Sequence, residues 1–537
     1  MILARTLLFP VFLASGLLGA LAAPLEDRAS VEVTIANGTV VGGSDGTVEY
    51  FKGIPFAQAP VGPLRFQNPR PYGANFGRLD ATKSFPVCMQ GADAKGSEDC
   101  LKLIVLRPAN RPAAKLPVVF FIHGGAFSAG GAEDGNDGTP LVKVSSQIGA
   151  PVIIVSIQYR LGALGFLSGK EVAATGQTNL GLRDQRLALE WVHENIAAFG
   201  GDPDKVTLWG FSAGSMSSFD HTIINDGNAN GLFRGVILSS GSPVSALDVT
   251  SSKAQAEYDA VVSKAGCSQS SNTLECLRNL EATAFVKAAS SLLMTGQWRG
   301  VNLPYLPRPD PSNNFFSRSA DVALSEGKFA KVPVLTGDVE DEGTLFALIV
   351  TDVTNNQRLI AHLNNYFPGQ EQSVAGLVAT YPDDLGISGS PYGTGLSNNA
   401  FGQYKRLASI FGDIIFNLQR RYHLSVVSSQ VPCWSYLNSA FKGTALLGSF
   451  HGSDGLKMLS SGTDSATVTP QRYIISFINK LDPNALGNAS PLIKFPQYST
   501  ANPQLVHINA QSNELIKDDF RAKQFQYFSE NISKFRI

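Results

Sequence analysis

Near-continuous apolar runs, rather than alternating ones, punctuate the middle of the chain. Residues 116–122 (LPVVFFI), 151–156, 235–239, 332–336 and 431–436 are such runs. A strand covered on both faces reads this way, so the five predict a central, mainly parallel sheet. A sixth and shorter run, Val206-Thr207-Leu208-Trp209, leads into Gly210-Phe211-Ser212-Ala213-Gly214, and the following Ser215-Met216-Ser217-Ser218-Phe219 can continue as a helix. Between 179 and 199 the period changes. Leu189, Val192, Ile196 and Phe199 recur at steps of three and four, one apolar face of a helix that Gly200-Gly201-Asp202-Pro203 should stop. Residues 31–35 and 48–51 predict strands of a small N-terminal sheet with a Gly-rich turn between them. Strands alternating with helical stretches predict an α/β fold: a mostly parallel sheet with helices on both faces.

Length alone would allow about three or four domains in 537 residues. The chemical motifs are scattered from 123 to 451 and need one sheet to meet, so a single domain over 23–537 is expected. Residues 1–22 read as a secretory signal: Arg5, an apolar run from 6 to 21, and Ala20-Leu21-Ala22 in the small-x-small form of a cleavage site. The run is too short for a stable membrane anchor. An oxidising compartment suits the cysteines, since Cys88 with Cys100 and Cys267 with Cys276 would close two local loops. Cys433, in an apolar run, reads as a buried thiol. Asn37, Asn488 and Asn531 head glycosylation sequons. Lys+Arg 43 against Asp+Glu 44, with no basic tract, gives no sign of a nucleic-acid partner. No Cys/His cluster suggests a metal, and no cofactor is expected.

A serine between glycines at a strand-to-helix turn is a nucleophile elbow. Its hydroxyl needs a base in hydrogen-bond reach, and the base needs an orienting acid. Five histidines follow Ser212. His221 is too near in sequence, His362 and His423 lie in helical patterns, and His507 lies in an extended one. His451 sits in a small-residue loop, Gly448-Ser449-Phe450-His451-Gly452, after a buried strand, which suits a side chain projecting into a site. Four carboxylates compete for the acid in Gly337-Asp338-Val339-Glu340-Asp341-Glu342-Gly343, and composition does not choose among them. His123-Gly124-Gly125-Ala126 supplies small residues at a strand end, where backbone N–H groups can face an oxyanion. Leu345 and Phe346, next to the acid loop, are candidates for an acyl pocket by proximity.

These stretches together resemble the type-B carboxylesterase/lipase family, which groups secreted fungal lipases, sterol esterases and cholinesterases. Residues 199–214 look like its active-site signature, and Ser97-Glu98-Asp99-Cys100-Leu101 like its second signature. The resemblance spans essentially the mature chain. It implies an α/β-hydrolase fold, Ser212 as nucleophile, Glu342 as acid, His451 as base, and oxyanion donors on Gly125, Ala126 and Ala213. It also implies the two disulfides and the ion pairs Arg65–Glu98 and Arg160–Asp184. The implied activity is hydrolysis of carboxylic esters, as a broad carboxylesterase or alternatively a triacylglycerol lipase or sterol esterase; the family's non-catalytic adhesion proteins are a remote third reading. Transient contact with a lipid surface stays open. Four departures stand out. Phe211 replaces a usual acidic residue, Ala126 a frequent glycine, and Lys102 and Ile104 the usual aromatic and Asn. Residues 89–99, the loop closed by Cys88, are few and lack an aromatic ring to stack on a quaternary ammonium, which argues against a cholinesterase.

Overall fold

The computed structural model describes residues 30–110, 115–135, 137–293 and 295–537; the expected signal, 1–22, lies outside them. Among the described residues thirteen strands join in one sheet. They are β1 (Val31–Ile35), β2 (Gly38–Ser44), β3 (Val48–Pro55), β4 (Gly77–Asp80), β5 (Lys102–Pro108), β6 (Leu116–Ile122), β7 (Ile153–Ile157), β8 (Gly201–Phe211), β9 (Gly235–Ser239), β10 (Val334–Val339), β11 (Cys433–Asn438), β12 (Gln504–Ile508) and β13 (Asn513–Lys517). The order is β1-β2-β3-β5-β7-β6-β8-β9-β10-β11-β12-β13, with β4 beside β2. From β7 to β12 every neighbouring pair is parallel. Antiparallel pairs finish both edges.

The apolar runs are continuous because both faces are covered. In β6, Val118, Phe120 and Ile122 belong to one core, while Val119 and Phe121 belong to the other. This is the two-residue period of a strand with a hydrophobic layer on each side. Five helices position the parts used below: α1 (Leu180–Asn195), α2 (Ala213–Ile223), α3 (Tyr404–Gly412), α4 (Leu418–Val427) and α5 (Ser465–Lys480). α1 brings Leu182, Leu189 and Val192 to the first core, and α5 brings Ile474, Ile475 and Phe477 to the second.

Two boundaries differ from the sequence expectation. Residues 38–44 form strand β2, not a Gly-rich turn. A Cβ on Gly42 or Gly43 would collide with β3 at Tyr50 or Phe51, so these glycines mark close approach within a sheet. β2 also joins the small N-terminal sheet to the main one, pairing with β1 and β4 near its start and β3 near its end. Of the expected stop Gly200-Gly201-Asp202-Pro203, Gly200 ends the helical run that follows α1, in the left-handed region at φ +87°, while Gly201-Asp202-Pro203 already belong to β8. A register shift between Leu116 and Val118 accommodates this stretch, as a bulge beside a proline does.

Both disulfides form, Cys88–Cys100 and Cys267–Cys276, and Cys433 is free and buried. Arg65 pairs with Glu98 at 2.6 Å and Arg160 with Asp184 at 2.7 Å, all four side chains being almost wholly covered. Of the departures, Phe211 packs its ring against Phe121 and Trp209. Lys102 reaches Asp99 at 3.3 Å, and Ile104 is buried.

Candidate active site

The site is built at the carboxyl ends of β8, β10 and β11, the edge at which α/β sheets place ligands. β8 ends at Phe211, and Ser212 turns the chain into α2 with φ +56° and ψ −125°, a conformation costly for a residue with a Cβ. The glycines make room for the turn. A Cβ on Gly210 would overlap the Gly214 backbone, and one on Gly214 would overlap the Ile122 carbonyl. Gly214→Ala is therefore expected to lower stability by about 2–3 kcal/mol through overpacking against rigid backbone. A denaturant midpoint unchanged from the parent would contradict this.

Three side chains meet in line there. His451 Nε2 lies 2.7 Å from Ser212 Oγ, and His451 Nδ1 lies 2.5 Å from Glu342 Oε2. The other Glu342 oxygen accepts from Val339 N–H at 2.8 Å, which fixes the carboxylate's orientation. An ionised carboxylate only accepts hydrogen bonds, so Nδ1 carries the proton and Nε2 is left to accept from the serine hydroxyl. Phe346 and Phe416 flank the imidazole, with ring centroids 5.1 and 4.6 Å away.

The competing carboxylates are engaged elsewhere. Asp338 accepts from Arg420 at 2.9 Å, Glu340 from Lys442 at 3.0 Å, and Asp341 from Ser390 Oγ, Tyr392 N–H and Ser449 N–H. The other four histidines after Ser212 make their contacts elsewhere, three through hydrogen bonds and one through ring packing. His221 bonds Gln185, His362 bonds Tyr366, His423 packs on Phe219, and His507 bridges Glu514 and Ser439. One carboxylate was not singled out by the sequence. Asp454, three residues after His451, is buried, and that burial together with the Glu342 charge pushes its carboxyl up to about 7 against the pull of His451. The Gly-Ser-Asp that follows His451 was its one available signal.

Ala126 and Ala213 line the same pocket as Ser212. Among the described residues, the N–H groups of Gly125, Ala126 and Ala213 have no protein acceptor. Gly125 and Ala126 both hold positive φ, at +113° and +53°. His123 shapes this loop from behind. Its Nδ1 lies 2.8 Å from Gly124 O, its ring stacks on Tyr159, and burial lowers its pKa to about 4, which keeps it neutral. The short Cys88 loop is also tied to it. Gln90 donates to Gly130 O at 2.9 Å and accepts from Gly130 N–H at 2.8 Å.

The pocket above Ser212 encloses about 460 Å³ of non-atom space, counting the part open to solvent. Its walls are apolar: Met216, Val244, Leu306, Phe346, Phe416 and Ile537 are among them. Phe346 is thus at the pocket, whereas Leu345 is not one of its lining residues. Ile415 and Phe416 enter it from a π-helical stretch, Asp413–Asn417, that joins α3 to α4. The extra residue of a π turn rotates the side chains after it, which periodicity in the sequence does not reveal.

A strained serine backed by an imidazole and a carboxylate, at the carboxyl edge of a parallel sheet, defines an α/β-hydrolase. The carboxylesterase family profile matches residues 29–528. A secreted lipase of Botryotinia fuckeliana is 42% identical over 96% of this chain and 95% of its own length. A secreted triacylglycerol lipase of Gibberella zeae is 41% identical, covering 94% of this chain and 91% of its own. In structure, Aspergillus niger EstA superposes with a TM-score of 0.83 at 25% identity, covering 95% of this chain and 99% of that one. The chain belongs to the carboxylesterase family. It is a carboxylic ester hydrolase.

Proposed function

We propose that the protein is a secreted carboxylesterase of broad specificity for apolar acyl esters, acting as one domain over 23–537 after loss of 1–22. The carrying observation is the Ser212–His451–Glu342 line at the floor of an apolar pocket. His451 Nε2 takes the hydroxyl proton as Ser212 Oγ attacks the ester carbonyl. The carbonyl electron pair moves to an oxyanion that accepts from the N–H groups of Gly125, Ala126 and Ala213. On collapse the C–O bond to the alcohol breaks, and His451 returns the proton to that oxygen. Water then attacks the acyl-enzyme, giving its proton to His451, and the acid leaves as Ser212 regains its hydrogen. Glu342 keeps the proton on Nδ1 and balances the imidazolium.

Secretion is supported by the signal-like residues 1–22, two disulfides and relatives named as secreted. Among the described residues no helix is long and apolar enough to cross a membrane. Of the sequons, Asn488 is the exposed one and the best placed for sugar. Asn37 Nδ2 donates to Tyr72 O and Ala74 O, and Asn531 Nδ2 to Tyr527 O, each in a partly covered setting, whereas Asn488 Nδ2 makes one longer, exposed bond to Asn484 Oδ1 at 3.3 Å.

A triacylglycerol lipase is the second reading, favoured by the apolar pocket and by the names of the two relatives. The Gln90–Gly130 clasp favours the first, because it holds the Cys88 loop down instead of leaving it free to open. Initial rates on tributyrin, taken through its solubility limit, separate the two. A curve that saturates below the limit is expected. A sharp rise once emulsion forms would favour the lipase reading.

A further inference from the structure

Four of the eight large apolar side chains exposed among the described residues crowd two neighbouring loops. Leu385 is 72% exposed, Leu396 64%, Ile387 53% and Leu446 38%. Solvent-exposed leucines scattered singly need no explanation, but a cluster marks a contact surface. The two loops are held as a unit. Leu446 N–H donates to Asn398 Oδ1 at 3.0 Å, and Asn399 Nδ2 donates to Leu385 O at 3.2 Å. Lys405 Nζ turns inward to Gly395 O at 2.6 Å and Thr394 Oγ1 at 2.7 Å.

The surroundings select the partner. Residues 385–404 and 443–450 contain no charged side chain. The charges at their rim are engaged within the protein: Asp383 pairs with Arg406, Asp384 accepts from Ser388, and Lys442 pairs with Glu340, so none is left as a free anchor for an ionic protein partner or an anionic headgroup. An uncharged apolar surface is what it matches. The loops that carry the patch are also tied to the loop that carries Glu342. Asp341, directly before Glu342, accepts from Ser390 Oγ and Tyr392 N–H in one loop and from Ser449 N–H in the other, two residues before His451. Residues 443–450 come soon after β11, and the Asp341 bonds bring Ser390 and Tyr392 against them, so both loops stand near the carboxyl edge of the sheet that carries Ser212.

We propose that Leu385, Ile387, Leu396 and Leu446 form a fixed docking face for an uncharged lipid–water interface, setting the apolar pocket beside the droplet or membrane that carries the ester. This rests on the ester-hydrolase reading of the same site and adds where its substrate is met. Unlike a lid, the face is already exposed, so docking concentrates the enzyme on the lipid without switching it on.

The test uses the full mature chain and the triple variant Leu385→Ser/Ile387→Ser/Leu396→Ser, with Leu515→Ser as an exposed leucine elsewhere. Flotation with phosphatidylcholine-coated triolein droplets reads docking, and hydrolysis of soluble p-nitrophenyl butyrate reads the site. The triple variant is expected to partition about tenfold or more weakly, from the loss of buried apolar area. Its soluble-ester rate should stay within about twofold, as for surface substitutions generally. Leu446→Ser alone should weaken partition in the same direction, and Leu515→Ser should leave it unchanged. Partition that survives the triple substitution would overturn the proposal, as would a parent dimer that the substitution converts to monomer with droplet binding intact. Failure of the ester-hydrolase reading looks different: the parent would float with the droplets yet leave p-nitrophenyl butyrate uncleaved.

Discussion

Ser212→Ala is expected to lower kcat for a soluble ester by about 10⁴-fold or more while the protein stays folded. The size follows from what the hydroxyl alone does. On the proposed mechanism no acyl-enzyme forms without Oγ, and the N–H groups of Gly125, Ala126 and Ala213 and the pocket would then assist only direct attack by water. Stability should hardly change. Among the described residues Oγ has His451 Nε2 as its hydrogen-bond partner, and the imidazole keeps its bond to Glu342. The backbone at φ +56° is no harder for alanine than for serine, since both carry one Cβ. The measurement is turnover of p-nitrophenyl butyrate beside far-UV circular dichroism and a thermal midpoint, with fluorophosphonate labelling as a second readout. A folded variant that still turned over within tenfold of the parent, or still took the label, would remove Ser212 from the mechanism.

Asp518→Ala is expected to destabilise the fold by about 3–5 kcal/mol, because it strips the shared partner from two buried cations. Arg420 donates to both Asp518 oxygens at 2.9 Å, and Arg421 adds bonds at 2.9 and 3.1 Å. Tyr498 OH donates to the same carboxylate at 3.0 Å. Arg420 and Asp518 are wholly enclosed. Removing Asp518 leaves Arg420 only the Asp338 carboxylate on β10 and the Ser435 hydroxyl.

The pH dependence has a definite sign. Burial by itself would raise the Asp518 pKa, but the two guanidiniums outweigh it and hold the carboxyl well below the usual range. A depressed folded pKa stabilises above the unfolded value, about 3.9, and that contribution is lost as pH falls through and below it. The gap between parent and variant in urea midpoint should therefore be full near neutrality and shrink on acidification below about pH 4. A gap that widened there, or none at pH 7, would show that the cluster does not hold the fold together.

Much of the protein was already legible along the chain. The apolar runs located the inner strands, because a strand covered on both faces has no polar side to advertise. Gly210 and Gly214 located the elbow, because only glycine fits so near the Ile122 and Gly214 backbones. Both are local constraints. A nearby residue type is demanded by geometry within a few positions, so it is written in order. The resemblance to a family then assigned Glu342 and His451, which residue pattern alone had left among four carboxylates and five histidines.

What the tertiary structure decided depends on distance along the chain. Ser212 and His451 are 239 positions apart, and Glu342 and His451 are 109 apart. Glu342 is separated from its neighbours by what lies across from each: Asp338 meets Arg420, Glu340 meets Lys442, and Asp341 meets three loop donors, leaving Glu342 to face the imidazole. No local pattern encodes those encounters. The pocket wall is the same case. Val244, Leu306 and Ile537 are ordinary apolar residues in sequence, and a π turn rather than a helical period presents Phe416. By itself, then, the sequence determined which kind of turn and which kind of sheet this protein must have. Which side chains meet at that turn was decided only by packing, because hydrophobic burial is non-directional and brings distant segments together, whereas the hydrogen bonds of Ser212, His451 and Glu342 exist only where those particular atoms end up in line.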